Sequence, residues 1–146
     1  MSLEKWAEFG WLKTEPTSRD EIKNLLAIVD RDLKDASVAA VSPDRRFEAA
    51  FNAARTAAIV PLRASGYRTT VQVGHHQKTI ESLKLTIKAE GKVIQKMRVL
   101  SKKRNATSYD AAGNVSNQEL ELAIKTATEL RQDVIRWLEK NQPKLL

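Results

Sequence analysis

Lys92-Val93-Ile94-Gln95-Lys96-Met97-Arg98-Val99-Leu100-Ser101-Lys102-Lys103-Arg104, continued by Asn105-Ala106-Thr107-Ser108-Tyr109-Asp110, is the segment around which the chain is organised. Lys92, Lys96, Arg98, Lys102, Lys103 and Arg104 supply six positive charges with no acid between them. Val93, Met97 and Leu100 recur at helical spacing, which predicts an inward apolar stripe with most of the cations in solvent. Arg104, Asn105 and Tyr109 bring together groups able to bind a phosphate, orient it and stack on a base. A solvated helix face is the plainer alternative, since a basic surface permits polyanion binding without requiring it.

The charge around this segment is unevenly placed. From 49 to 109 the only acids are Glu81 and Glu90 against twelve Lys and Arg, a net +10, while the remainder carries 13 bases and 16 acids, a net −3. That asymmetry favours an anionic partner or a charge-complementary second copy. A length of 146 residues suits one domain. The lack of cysteine excludes disulfides, thiolate metal sites and cysteine nucleophiles. No apolar run reaches transmembrane length, so no membrane partner is expected, and the opening Met1-Ser2-Leu3-Glu4-Lys5-Trp6 does not resemble a signal peptide. A cytoplasmic location is the expectation.

Residues 1–16 contain Trp6, Phe9, Trp11 and Leu12, an apolar leader expected to pack on the domain or at a seam between subunits. Residues 17–142 read as one helical domain. Ser18-x-x-Glu21 is a capping-box pattern, followed by Ile22, Leu25, Leu26, Val29, Leu33 and Ala36 at threes and fours. A second helix is predicted over 43–64, with Phe47, Ala50, Phe51, Ala54, Ala57, Ala58 and Leu62 inward and a kink or early end at Pro61. The stretch 69–73 is read as an extended connector, because no strand partner is evident. A helix is expected over 79–90, with a break at Gly91. Ser116-x-x-Glu119 opens the last helix, whose apolar residues run from Leu120 to Leu138. The prediction is an all-α, up-and-down bundle of four or five helices.

No His-Glu-x-x-His, P-loop or glycine-rich dinucleotide turn is present, and neither a cofactor nor a metal site is expected. His75 and His76 have too few acids nearby to suggest a metal site, and neighbouring helical side chains diverge by about 100°. They stand as secondary candidates with Arg68. Arginine can stabilise charge developing on a cleaved phosphodiester, but tyrosine, with an ordinary pKa near 10, is a poor general base at neutral pH.

At Arg104-Asn105-Ala106-Thr107-Ser108-Tyr109-Asp110 the chain resembles the HEPN domain family. Two more stretches resemble its small bacterial members: Asp44-Arg45-Arg46-Phe47 leading to Arg63-Ala64-Ser65-Gly66-Tyr67-Arg68, and Gly74-His75-His76-Gln77-Lys78-Thr79-Ile80. The resemblance spans about 18–139. It implies an all-α domain in which two copies of an arginine–polar–histidine motif meet at a dimer interface as a metal-independent ribonuclease. Here Arg104 and Asn105 match, and Tyr109 stands at the histidine position. The resemblance therefore implies a homodimeric RNA- or nucleotide-binding version, with Arg104, Asn105 and Tyr109 as candidate catalytic positions of doubtful activity. Two alternatives stay open: an active endoribonuclease of a toxin–antitoxin or defence system, and an interaction module for a nucleotidyltransferase-like or antitoxin protein.

Overall fold

A computed structural model describes residues 1–70, 74–109 and 112–146, the side chains of 106–109 excepted. Among these residues are six α-helices, more than the four or five expected, and two three-residue strands. The helices are α1 (Leu3–Glu8), α2 (Arg19–Ala36), α3 (Pro43–Ala64), α4 (His75–Ser82), α5 (Gly91–Tyr109) and α6 (Asn117–Asn141), followed by a 3-10 turn, Pro143–Leu145. None is long and apolar enough to cross a membrane.

The central helix is α3, which packs most extensively on α2 and α6. Its alanines explain this: Ala53, Ala54, Ala57 and Ala58 are fully buried, and small side chains let neighbouring axes approach. They join Ile22 and Val29 of α2 with Leu130, Val134 and Leu138 of α6 in one core cluster. Pro61 does not end α3, which runs one turn further to Ala64. There the carbonyl of Pro61 accepts from the Ser65 amide at 3.1 Å and the Ser65 hydroxyl at 2.8 Å.

Both expected capping patterns lie at helix starts, with different outcomes. Ser116 and Glu119 form the full reciprocal box at α6. At α2, Ser18 Oγ accepts from the Glu21 amide at 3.1 Å. The Glu21 carboxylate, however, is taken by Thr17 at 2.5 Å and by Arg63. A long-range ion pair has displaced the local half of that box.

Arg63, only 3% exposed, fastens the leader to the bundle. Its guanidinium donates to Glu21 at 2.8 Å and to the carbonyls of Glu15 at 3.1 Å, Pro16 at 3.1 Å and Tyr67 at 3.0 Å. Alongside, β1 (Leu12–Thr14) pairs antiparallel with β2 (Tyr67–Thr69), Lys13 opposite Arg68. Of the expected connector 69–73, Thr69 closes this strand pair and the Thr70 amide donates to the Trp11 carbonyl at 3.1 Å, while 71–73 lie outside the described residues. Gly66, at φ +89°, makes the reversal from α3 into β2 that a side chain would disfavour. Trp6 and Leu12 are buried with Leu62 as a third, smaller cluster.

The expected helix over 79–90 is displaced towards its N-terminus. α4 starts at His75 and gives way after Ser82 to turns through Ile87, although Ile80 and Leu83 are buried as expected. Gly91 is the first residue of α5.

Three carboxylates couple stability to pH. Arg68 holds the Glu15 carboxyl below its ordinary value, chiefly by hydrogen bonding. For Glu21, burial acts upward, but hydrogen bonds from Thr17 and Arg63 and the nearby guanidinium charges prevail and lower it. Glu119 is lowered first by the Ser116 amide. Because these folded-state values are depressed, their stabilisation is present above the ordinary 4.5 and is lost as pH falls through the folded values. Urea midpoints are therefore expected to drop between pH 5 and pH 3, and to drop less in Glu21→Gln. An unchanged midpoint over that interval contradicts this.

Candidate phosphate site

The helical phase of α5 divides its cations. Ile94, Met97, Leu100 and Ser101 are the buried residues, so Ile94 rather than Val93 leads the inward stripe. At about 100° per residue, Arg104 falls on this same face. Lys92, Lys96 and Lys103 flank it on one side, Arg98 and Lys102 on the other. Arg104 therefore continues the inner stripe past the end of the apolar run.

It reaches a cavity of about 200 Å³ formed where three helices meet. Helix α3 contributes Phe51 and Arg55, α4 contributes His76 and Gln77, and α5 contributes Ser101, Arg104 and Asn105. Gly74, at φ +87°, turns the chain so that α4 begins at the cavity edge. Gln77 Nε2 donates to Ser101 Oγ at 3.2 Å, tying α4 to α5 along one wall. The His75 and His76 rings meet at a tilt of 42°, centroids 3.9 Å apart.

Arg55 is positioned by a part-buried polar chain that ends on the buried Asp32. Its Nη2 donates to Asn52 Oδ1 at 2.8 Å, and Asn52 Nδ2 donates to Asp32 Oδ2 at 2.5 Å. Asp32 is 6% exposed and also accepts from Arg31 at 3.1 Å. The Asp32 charge thus reaches Arg55 through an amide rather than by direct pairing.

The cavity groups raise the electrostatic cost of one another's charges. Burial, and then the charge of Arg104, hold the Arg55 guanidinium below its ordinary value. Arginine nonetheless stays protonated near neutral pH. His76 is lowered first by desolvation and then by His75, Arg55 and Arg104. An entering anion would relieve this repulsion. Gln77 and Asn105 add amide donors, so the chemistry suits an oxyanion with several oxygens.

The other expected cations are placed differently. Lys92 meets Glu90 at 3.4 Å, Arg98 meets Glu81 at 3.2 Å and Lys103 meets Glu119 at 3.2 Å, so acids from neighbouring segments answer half of the basic run. Arg68 is held by Glu15 and Glu21 beside the strand pair. Lys96 and Lys102 form no ion pair with any other described residue. The Tyr109 side chain and Asp110, and with them the expected pairing of Arg104 with Tyr109, lie outside the described residues. Arg104 and Tyr109 do belong to one continuous helix. Sequence reasoning missed Arg55 and Gln77. A cation four residues after Phe51, beside the alanine-rich face of α3, was the available signal.

The leader places its half-buried Trp11 against the buried Trp6 and against Lys78 of α4. Trp6 and Trp11 meet edge to face with centroids 5.6 Å apart, and Lys78 Nζ lies 3.6 Å from the Trp11 ring centroid. Both residues are half-buried, and such a cation–π contact contributes about 1–2 kcal/mol. Comparison of the chain with family models, curated proteins and solved structures returned no match.

Proposed function

We propose that the chain is a HEPN-like domain that binds a phosphate of RNA or of a nucleotide in the cavity between Arg55, His76 and Arg104, without efficient catalysis. The observation that carries this reading is the convergence of two arginines and a histidine, drawn from three helices, on one small cavity. An anion there gains charge-assisted hydrogen bonds from the guanidinium and imidazole N–H groups. The cavity has room for a phosphate group, and the remainder of a nucleotide would extend across α4 and α5, where Lys102 adds positive potential. In this reading two copies associate and present their Arg104 side chains in one cleft, as the resemblance implies. Light scattering is expected to give twice the chain mass, and a monomer at high concentration would contradict the pairing.

The ion pairs on α5 set the expected salt response. With two to four phosphates contacted, log K for a single-stranded oligoribonucleotide is expected to fall against log salt with a slope of about −1.5 to −3, since each contact contributes about −0.7. Contact by all six cations of the run would give about −4. Anisotropy titrations over a salt series check this, and absence of binding at low salt overturns the proposal.

One observation favours a second reading, metal-independent RNA cleavage. His76, the ionisable group absent from the Tyr109 position, borders the same cavity as Arg104. Desolvation and the neighbouring cations lower its pKa, which favours the neutral imidazole that a base acting on a 2′-hydroxyl must be. Cleavage that resists EDTA and is lost in both His76→Ala and Arg104→Ala would establish it. Intact RNA after prolonged incubation would leave the binding reading alone.

A further inference from the structure

We infer that the hollow between the leader tryptophans and the α4–α5 seam is a base-stacking subsite for single-stranded RNA, next to the phosphate cavity; the inference rests on the phosphate reading above. The hollow measures about 390 Å³ and is bordered by Trp6, Trp11, Lys78, Lys84 and Arg98. Glu81, the one acid on its described border, is already engaged by Arg98 at 3.2 Å and Lys78 at 3.8 Å. Trp6 is buried, but the half-buried Trp11 ring, bordered by cations, suits a ligand that couples a flat π surface to a negative backbone, which describes a nucleotide.

Position supports the same occupant. The Gln77–Ser101 contact walls the phosphate cavity, and the Glu81–Arg98 contact walls the hollow. Residues 77 and 81 lie one turn apart on α4, as do 101 and 98 on α5. The two sites therefore neighbour one another along a single seam, offset by about one helical pitch, ~5.4 Å. A strand whose phosphate sits at Arg104 brings an adjoining base to Trp11. Lys78 Nζ occupies the ring face that such a base would use. Lys78 and Trp11 are both half-buried, so their contact is set at about 1–2 kcal/mol against about 1–3 kcal/mol for base–aromatic stacking, and in this inference the base displaces the ammonium, which then faces the backbone.

Tryptophan fluorescence of the full-length chain tests this with three probes: a uridine pentamer, a fully abasic ribose-phosphate pentamer and inorganic phosphate. The uridine pentamer is expected to quench emission and to bind at least about fivefold tighter than the abasic one. Trp11→Ala is expected to remove that preference, Trp11→Phe to keep most of it, and inorganic phosphate to bind Trp11→Ala as it binds the wild type. Equal affinity for the two pentamers, or a base preference unaffected by Trp11→Ala, overturns the subsite. If Trp11→Ala does not fold, the pentamer comparison on the wild-type chain decides alone. Quenching by an acidic peptide but not by the uridine pentamer would instead assign the hollow to a protein partner. Phosphate that shifts the His76 resonance while bases contribute nothing overturns only the subsite. No response to phosphate overturns the reading beneath it as well.

Discussion

Replacing Arg104 by alanine is expected to weaken oligoribonucleotide binding by about 10- to 100-fold. The estimate follows from losing hydrogen bonds to a charged group, about 1.5–3 kcal/mol. Arg104→Lys should fall between, because lysine keeps the charge but not the planar fork. A second consequence needs no RNA. The Arg104 charge helps to lower the His76 pKa, so Arg104→Ala should raise it in the free protein. Observing both changes ties the loss of binding to this cavity. Lost binding with an unmoved His76 would point to a different surface.

The largest stability loss is expected at Arg63. Changing it to methionine preserves much of the apolar stem but abandons the Glu21 carboxylate and the carbonyls of Glu15, Pro16 and Tyr67. Breaking a buried pair while stranding its acceptors costs about 3 kcal/mol, the partial exposure of Glu21 keeping it from the upper range. For a chain of this size that corresponds to a fall in melting temperature of roughly 6–12 °C. The leader should loosen with it, since the same guanidinium holds residues 15 and 16. A change below 2 °C would show that water replaces these contacts without penalty.

Much of the scaffold was legible because its signals are local. Helix α3 occupies the predicted 43–64, and Ser18 and Ser116 cap α2 and α6, since serine caps and apolar periodicity act within a few residues. The strand pair escaped notice because its halves are three residues long and more than fifty apart in sequence, joined only by tertiary packing. Asp44 shows how a motif can be visible while its role is not. Its carboxylate accepts from the amides of Gly113 at 2.7 Å and Val115 at 3.3 Å, fixing the approach to α6.

At the candidate site, composition drew attention to the right helix but assigned its faces incompletely. Grouping Arg104 with the neighbouring lysines followed charge, whereas helical phase sets it beside Met97 and Leu100. The meeting of Arg104 with Arg55 and His76 depends on how α3, α4 and α5 pack, and no spacing in the chain encodes that. The pairings of Arg98 with Glu81 and of Lys103 with Glu119 were hidden for the same reason, whereas Glu90 stands only two residues before Lys92.

The central claim is that the Arg55–His76–Arg104 cavity accepts a phosphate, and titrating the His76 imidazole by NMR tests it most directly. In the free protein its pKa should lie below the ordinary 6.5. Saturating inorganic phosphate or uridine monophosphate should raise it, because the bound anion favours the imidazolium; by linkage, the anion should then bind more tightly as pH falls through that interval. A His76 titration unchanged by either anion would contradict the account.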